Sequence, residues 1–353
     1  MDESRFPHRE IGEEEDDLLE RLWAEQGCSG AEGACGGFAD VKRRIRRRLR
    51  RRAAAGILAG SVLALLAASV VRHGRPESAA APDSYELLAG MGVAVDRSEV
   101  VMTADDGLRI VLGEEARIES RSADEVTLNT GEGERTTVAS ERRLRVDVPA
   151  GRRFRLTLSD GSEVWLNAGS SLEYPATFPE AAERRVRVEG EAFFDVCRDT
   201  CRPFCVELDD GACIRVLGTS FNVCAYADAP SRTTTLLSGH IRYDAGAGPV
   251  DLFPDQSLTA SSRTGAVEVR RVDAAAACAW RDGWICFENE PLSEIAGRLA
   301  RLYGIRIEVA EAVGGCRFSG RLRQERGIDY LLQLLSETSD IVCEVEEGAM
   351  KLR

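Results

Sequence analysis

The sequence predicts a mainly β chain. Its β body reads as a sandwich, barrel or β-solenoid, followed by a small α+β module of order β-α-β-β-α-β. One transmembrane helix and a short helical segment precede them. Three observations carry this prediction. Residues 53–71 form an uncharged run of nineteen. Residues 84–273 alternate in short runs split by glycine-containing turns, the pattern of half-buried strands. Beyond residue 279 the period switches between 2 and 3.6.

Charge is distributed in blocks. Residues 1–41 carry twelve Asp/Glu against three Arg, residues 42–52 (KRRIRRRLRRR) carry nine basic residues and no acid, and the whole chain is at −13. That acidic balance speaks against general nucleic-acid binding, which needs a basic footprint. Such asymmetry points to separate compartments or partners for the two ends of the chain.

The run at 53–71, AAAGILAGSVLALLAASVV, spans about 28 Å as a helix, close to the hydrocarbon thickness of a bilayer. A helix is required because lipid offers no partners to free backbone groups. The basic block on its N-terminal side places residues 1–52 in the cytoplasm and everything after Arg75 outside it. A signal peptide is the alternative, but the basic region begins about forty residues into the chain and the apolar run exceeds a typical h-region.

Residues 13–26, EEEDDLLERLWAEQ, predict a short helix with acids crowding its first turn, where they complement the helix dipole. Leu18, Leu19, Leu22 and Trp23 fall on one face. The helix is too short to build a core, and its Leu/Trp stripe suits docking into a partner's groove. Gly27 to Gly37 reads as a flexible linker.

In the β body, Val146 and Val148 alternate, then Phe154, Leu156 and Leu158, then Val164 and Leu166. Asp160-Gly161 between two such runs is a strong hairpin signal, and Asp106-Gly107 marks an earlier one. Val186 and Val188 continue the period, and further runs follow at 204–208, 214–217, 221–226, 234–243 and 267–272. Gly161, Gly169, Gly190, Gly218 and Gly239 are expected to make tight turns between strands.

After an Ala-rich linker (Ala274–Ala277), residues 279–353 predict a separate module. WICFENE (284–290) reads as a strand, and Pro291 opens a helix with Leu292, Ile295, Leu299 and Leu302 on one face and Gly304 past its end. Strands follow at 305–311 and 316–323. A second helix carries Ile328, Leu331, Leu332 and Leu335, and a hairpin around Gly348 closes the chain.

No catalytic constellation emerges: His8, His73 and His240 are the only histidines, and there is no P-loop, no GxGxxG after a strand and no HExxH. No enzyme activity and no cofactor are expected. Of the eleven cysteines, Cys28 and Cys35 fall on the cytoplasmic side and should stay reduced. Nine lie beyond the membrane run, an odd number that cannot pair completely within one chain. Cys197, Cys201 and Cys205 lack a common zinc spacing. With Cys213, Cys286 and Cys343 placed on alternating core positions of strands, buried thiols or disulfides are expected in place of a metal site.

The segments VPAGRRFRLTLSDGSEVWLNAGSSLEYPATF (148–178), RRVRVEGEAFFDV (184–196), PFCV (203–206), IRVLGTSFNVCAY (214–226), TTTLLSGHI (233–241) and LFPDQSLTA (252–260) resemble, in order and spacing, the FecR family of transmembrane anti-sigma regulators, in the form common in Bacteroidetes. The C-terminal module is similar to the secretin/TonB short N-terminal fold. The resemblance implies a single-pass inner-membrane protein with a periplasmic body. It implies an extracytoplasmic-function sigma factor bound by the N-terminal segment, through the face of Leu18, Leu19, Leu22 and Trp23. It further implies an outer-membrane TonB-dependent transducer whose signalling domain meets residues 279–353, and a regulatory intramembrane protease as a further partner. The motif residues Asp160, Gly161, Gly190, Gly218 and Gly239 are then scaffold. The cytoplasmic part, about fifty residues with the Arg run, is shorter than the resemblance implies, and inhibition of the sigma factor and release as its activator both stay open. The rival from another class is a membrane-anchored module gripping an envelope glycan. It would need an exposed aromatic platform, for which Trp165, Trp280 and Trp284 are scattered along the chain.

Overall fold

The computed structural model describes residues 88–113, 115–120, 125–129, 135–180, 183–324, 327–328, 339 and 341–353. The predicted membrane helix, the acidic segment with Leu18, Leu19, Leu22 and Trp23, and nearly all of the predicted second helix of the C-terminal module lie outside them. Among the described residues no helix is long and apolar enough to cross a membrane.

Among the described residues the β body holds eighteen strands. These are β1 (Val100–Ala104), β2 (Arg109–Leu112), β3 (Glu115–Ser120), β4 (Glu125–Asn129), β5 (Arg135–Ala139), β6 (Arg143–Val148), β7 (Phe154–Thr157), β8 (Glu163–Leu166) and β9 (Ser170–Pro175). Then come β10 (Arg184–Asp195), β11 (Phe204–Glu207), β12 (Cys213–Val216), β13 (Ser220–Ala225), β14 (Ser231–Ser238), β15 (Ile241–Asp244), β16 (Val250–Leu252), β17 (Gln256–Ser261) and β18 (Val267–Arg271).

They pair into two sheets. One runs β2-β1-β6-β9-β10-β11-β12-β15-β16. The other runs β5-β4-β3-β7-β8-β10-β13-β14-β17-β18. Side chains from both, among them Val146, Leu144 and Leu172 of the first and Phe154, Leu156 and Phe194 of the second, share one core. Alternating runs bury one face each, and two such faces closed on each other are a sandwich. Among the described residues no closed barrel forms, so of the three expected architectures the barrel is not the one found.

The twelve-residue β10 belongs to both sheets. Residues 187–189 pair with β9 and residues 190–195 with β13. The crossing falls at Gly190, with φ +90°. Here the structure corrects the expectation of a turn: Gly190 lies inside a strand and bends it. Inward alternation continues through the bend, from Val186 and Val188 to Ala192 and Phe194. A Cβ at Gly190 would meet the Ser170 Cα at 2.7 Å, so this backbone is held where only glycine fits. Gly161 and Gly169 sit between β7, β8 and β9, Gly218 between β12 and β13, and Gly239 between β14 and β15. That last break divides the expected single run at 234–243.

Ala274–Ala277, expected as a linker, is part of helix α1 (Ala274–Cys278). Alanine is the best helix former, and the Asp273 carboxylate accepts from the Ala276 amide at 3.0 Å, capping the first turn. A 3-10 turn (Ala279–Asp282) leads to β19 (Trp284–Pro291), α2 (Leu292–Tyr303), β20 (Ile307–Val309), α3 (Glu311–Gly314), β21 (Arg317–Arg323), β22 (Cys343–Glu346) and β23 (Ala349–Leu352). β19 pairs with β21, while β20, β23 and β22 form a separate sheet with β20 parallel to β23. The short α3 was absent from the predicted order. Leu292, Ile295, Leu299 and Leu302 of α2 are buried, and Gly304 caps the helix at φ +64°.

A second core surrounds α2, and two of its members come from far earlier in the chain: Leu88 and Val93. Val95 pairs with Ile305, the Ala94 amide donates to the Gly348 carbonyl at 3.0 Å, and the Asp96 amide donates to the Gly304 carbonyl at 2.7 Å. Residues 88–96 are therefore built into the C-terminal module.

Cys205 and Cys213 form a disulfide across the β11–β12 hairpin, Cα–Cα 6.2 Å. Cys213 and Cys286 do not occupy core positions as expected. They stand on the half-exposed face, with Ile214, Ile285 and Phe287 turned inward beside them. Cys343 packs at the margin of the second core.

Candidate functional site

The outer face of the second sheet carries a transverse row set by strand register. Arg155 on β7 stands opposite Trp165 on β8, Trp165 opposite Phe193 on β10, and Phe193 opposite Asn222 on β13. Each is an outward position of its strand, the natural consequence of period-2 alternation. Cross-strand neighbours of this kind touch. Arg155 lies over the Trp165 ring at 5.0 Å, and Trp165 meets Phe193 edge-on at 5.6 Å.

The 3-10 turn covers this row. Arg281 lies over Phe193 at 4.4 Å and over Trp165 at 5.3 Å, while Trp280 Nε1 donates to Asn222 Oδ1 at 3.0 Å. Arg153 lies over Trp280 and hydrogen-bonds Gln324. Phe193 is thereby 1% exposed although it points away from the sandwich core.

Glu191 anchors the polar half of the seam. Asn167 Nδ2 donates to Glu191 Oε2 at 2.7 Å and Asn222 Nδ2 donates to Glu191 Oε1 at 3.0 Å. Both carboxylate oxygens are thus held, which suits a charge in partly desolvated surroundings. Beside it, Tyr226 donates to the Ala168 carbonyl at 2.8 Å. Arg301 of α2 lies over the Tyr226 ring at 4.0 Å and pairs with Asp228 at 3.0 Å. The Gly151 amide donates to the Arg301 carbonyl at 2.8 Å. Arg298, one turn earlier, donates to the Cys286 carbonyl and to Glu290.

Burial shifts the titrating groups here. It pushes the Cys278 thiol up to about 12 and raises Cys224 and Tyr226 further. Burial also raises the Glu290 carboxyl, which the Arg298 guanidinium partly opposes. Cys278, Cys224 and Tyr226 stay neutral at neutral pH, a setting for packing and not for nucleophilic chemistry. No group of three or more His, Cys, Asp or Glu residues among the described residues could hold a metal ion.

A second polar assembly lies inside the loop that joins β10 to β11. Arg184, 1% exposed, donates to Asp160 at 2.6 Å, to the Cys197 carbonyl at 2.9 Å and, through Nε, to the Arg202 carbonyl at 2.9 Å. Asp160 in turn accepts from the Ser162 amide and hydroxyl at 3.0 and 2.7 Å, holding the β7–β8 hairpin. Asp160 and Gly161 were read from the sequence as hairpin residues, and the ion pair adds a tie from that hairpin to the β10–β11 loop. Of the seam residues, Arg281, Asn222 and Arg301 were not identified from the sequence, where Trp280 entered only as one of three scattered tryptophans. Glu191 and Asn222 stand on strands, Trp280 and Arg281 on the 3-10 turn and Arg301 on α2, so the set is visible only once the fold brings these elements together.

Profiles of known families match the two halves of this seam. The FecR protein family matches residues 145–242, and the FecR C-terminal family matches residues 284–351. Two crystal structures of a candidate anti-sigma factor from Parabacteroides distasonis, at 1.65 and 2.50 Å resolution, are similar to the chain. The first is 30% identical, with a TM-score of 0.56, and the alignment covers 59% of this chain and 98% of that one. The second is 29% identical, with a TM-score of 0.56 and coverage of 60% and 98%. No curated protein matches the chain significantly. Trp280 and Arg281 fall between the two family regions.

Proposed function

The chain belongs to the FecR family of anti-sigma regulators, and we propose that it relays a signal from an outer-membrane TonB-dependent transducer to a cytoplasmic extracytoplasmic-function sigma factor controlling uptake genes. The transducer's periplasmic signalling domain engages the C-terminal module, residues 279–353. Residues 53–71 cross the inner membrane with the N-terminus in the cytoplasm. The face of Leu18, Leu19, Leu22 and Trp23 holds the sigma factor, and intramembrane proteolysis frees it.

One observation carries this reading. Leu88 and Val93, which follow the predicted membrane run by fewer than thirty residues, are core members of the C-terminal module. A partner that binds the module therefore acts on a unit already tied to the segment leading to the membrane. Its signal need not pass through the sandwich. The seam supports the same reading, because it joins module and sandwich through side-chain hydrogen bonds and cation–π contacts. Interfaces of that composition between parts of one chain are separable.

The test is a sigma-dependent transcription reporter in cells carrying the full chain or a chain truncated after Asp273. The full chain is expected to respond to the transducer's inducer and the truncated chain to lose that response. A truncated chain that still responds fully would contradict the reading.

A further inference from the structure

We propose that β18 is a self-association edge, along which two copies of the chain pair antiparallel about a two-fold axis at Val269. Among the described residues β18 pairs only with β17, so it ends the second sheet. All five of its residues, Val267, Glu268, Val269, Arg270 and Arg271, are exposed. Cross-strand partners share a face, so Val269 opposite Leu258 and Val267 opposite Ala260 continue the apolar face of the core. Leu258 is 1% exposed, yet Val269 and Val267 are 38% and 39% exposed. Near this edge Phe253 is 57% exposed. Its amide donates to Gln256 Oε1 at 2.9 Å, and Gln256 stands opposite Arg271.

The hydrogen-bond phase of the β17–β18 ladder fixes which groups the edge offers. The Ser261 amide donates to the Ala266 carbonyl at one end, and the Val272 amide donates to the Asp255 carbonyl at the other. Antiparallel pairs alternate between bonded and non-bonded, so Glu268 and Arg270 turn their main-chain groups toward β17. Val267, Val269 and Arg271 turn theirs to the open edge, where no described residue meets them. An unpaired row of this kind is a template for another strand. In two edges centred on Val269, Val269 faces its own copy and Val267 faces Arg271, so each outward donor meets an outward acceptor.

Charge selects that occupant and that register. Among the described residues no ion pair joins Glu268 or Arg270 to its own chain. Charges on an edge strand usually discourage a second copy. Here the antiparallel pairing sets Glu268 opposite Arg270 of the other copy, twice across the axis, at the non-bonded positions where side chains approach most closely. Sliding one strand by two residues sets Glu268 against Glu268 or Arg270 against Arg270. Sliding it by one puts outward groups against groups already bonded to β17. A single register therefore satisfies the main chain and both charges, the isologous pattern of a two-fold dimer.

The experiment measures the mass of the full chain in detergent micelles by multi-angle light scattering, under reductant so that exposed thiols such as Cys201 do not cross-link copies. At about 50 µM the unmodified chain is expected to be mainly dimeric, with a Kd in the micromolar range of small interfaces. Glu268→Arg alone and Arg270→Glu alone should each weaken the dimer about 30-fold, because both pairs across the axis become like-charged. Both substitutions in one chain should restore the dimer, and an equimolar mixture of the two single variants should form a heterodimer. All variants should melt with the unmodified chain, since both positions are exposed. A monomeric unmodified chain would overturn the proposal. A dimer untouched by the single substitutions would place association elsewhere, the run at 53–71 included, and overturn the edge. Weakened single variants with neither rescue nor heterodimer would overturn the pairing about Val269.

Discussion

Trp280 donates its indole N–H to Asn222 Oδ1 at 3.0 Å, and the same Asn222 amide donates to Glu191 Oε1. A side chain of the connecting turn thus completes a network that begins on two strands of the sandwich. The sandwich supplies the positioned acceptor and the turn supplies the donor, so the contact forms only when the module is seated.

Trp280→Phe keeps the ring over the seam but removes the donor. The expected loss is about 1 kcal/mol, the usual net worth of a hydrogen bond whose acceptor is left in place. Trp280→Ala also removes the surface beneath Arg153 and should cost about 2 kcal/mol. Thermal melting of both variants checks the order; equal stability of all three chains would deny the seam an energetic role.

Gly190→Ala should be far more damaging than its size suggests. The new Cβ would meet the Ser170 backbone at 2.7 Å in a left-handed conformation, so the strand crossing itself must shift. A loss of more than about 3 kcal/mol is expected. Gly211→Ala is the control: φ is +83° but the space is open, and the cost should stay near 1–2 kcal/mol. Similar losses for the two variants would show that backbone conformation, not the close approach, sets the cost at Gly190.

Asp160→Asn should cost about 3–5 kcal/mol, because Arg184 would be left as a buried, uncompensated charge. Asp160→Leu combined with Arg184→Leu should cost less than Asp160→Asn alone. Denaturant midpoints of the three chains decide this, and a double variant weaker than the single would argue that the ties from Arg184 to the Cys197 and Arg202 carbonyls outweigh the ion pair.

The period-2 runs made the β body legible, because each buried face writes its alternation directly into the chain. The Asp160-Gly161 hairpin was legible for the same local reason. Gly190 was misread because a glycine between two alternating runs looks the same whether the chain turns back or crosses to another sheet. That choice depends on which strands pair at long range. The α1 helix was missed because four alanines also suit a linker, and the Asp273 cap is a weak signal alone. The membership of Leu88 and Val93 in the C-terminal core could not be read at all: nothing local marks a partner about two hundred residues away. The seam was hidden likewise, since Arg155, Trp165, Phe193 and Asn222 become neighbours only through register.

Thiol labelling should report whether the module is seated. Cys197 and Cys201 are exposed, whereas Cys278 is buried in α1 with its thiol pushed up to about 12. At pH 8 only about one Cys278 in ten thousand would be thiolate, the reactive form. Cys201 should label within minutes and Cys278 should be protected by several orders of magnitude. Trp280→Ala should shorten that protection at least tenfold. Equal labelling of Cys278 in both chains would separate its burial from the seating of the turn.

Amide hydrogen exchange at Ala94 and Asp96 tests the relay most directly. Their N–H groups donate to the Gly348 and Gly304 carbonyls of the C-terminal module, so their protection measures the grip of that module on the segment that follows the proposed membrane run. Saturating the full chain with the transducer's signalling domain should speed exchange at both amides at least about tenfold, a loss of about 1.4 kcal/mol of local stability. Saturated binding with unchanged exchange at Ala94 and Asp96 would contradict a signal that travels through residues 88–96.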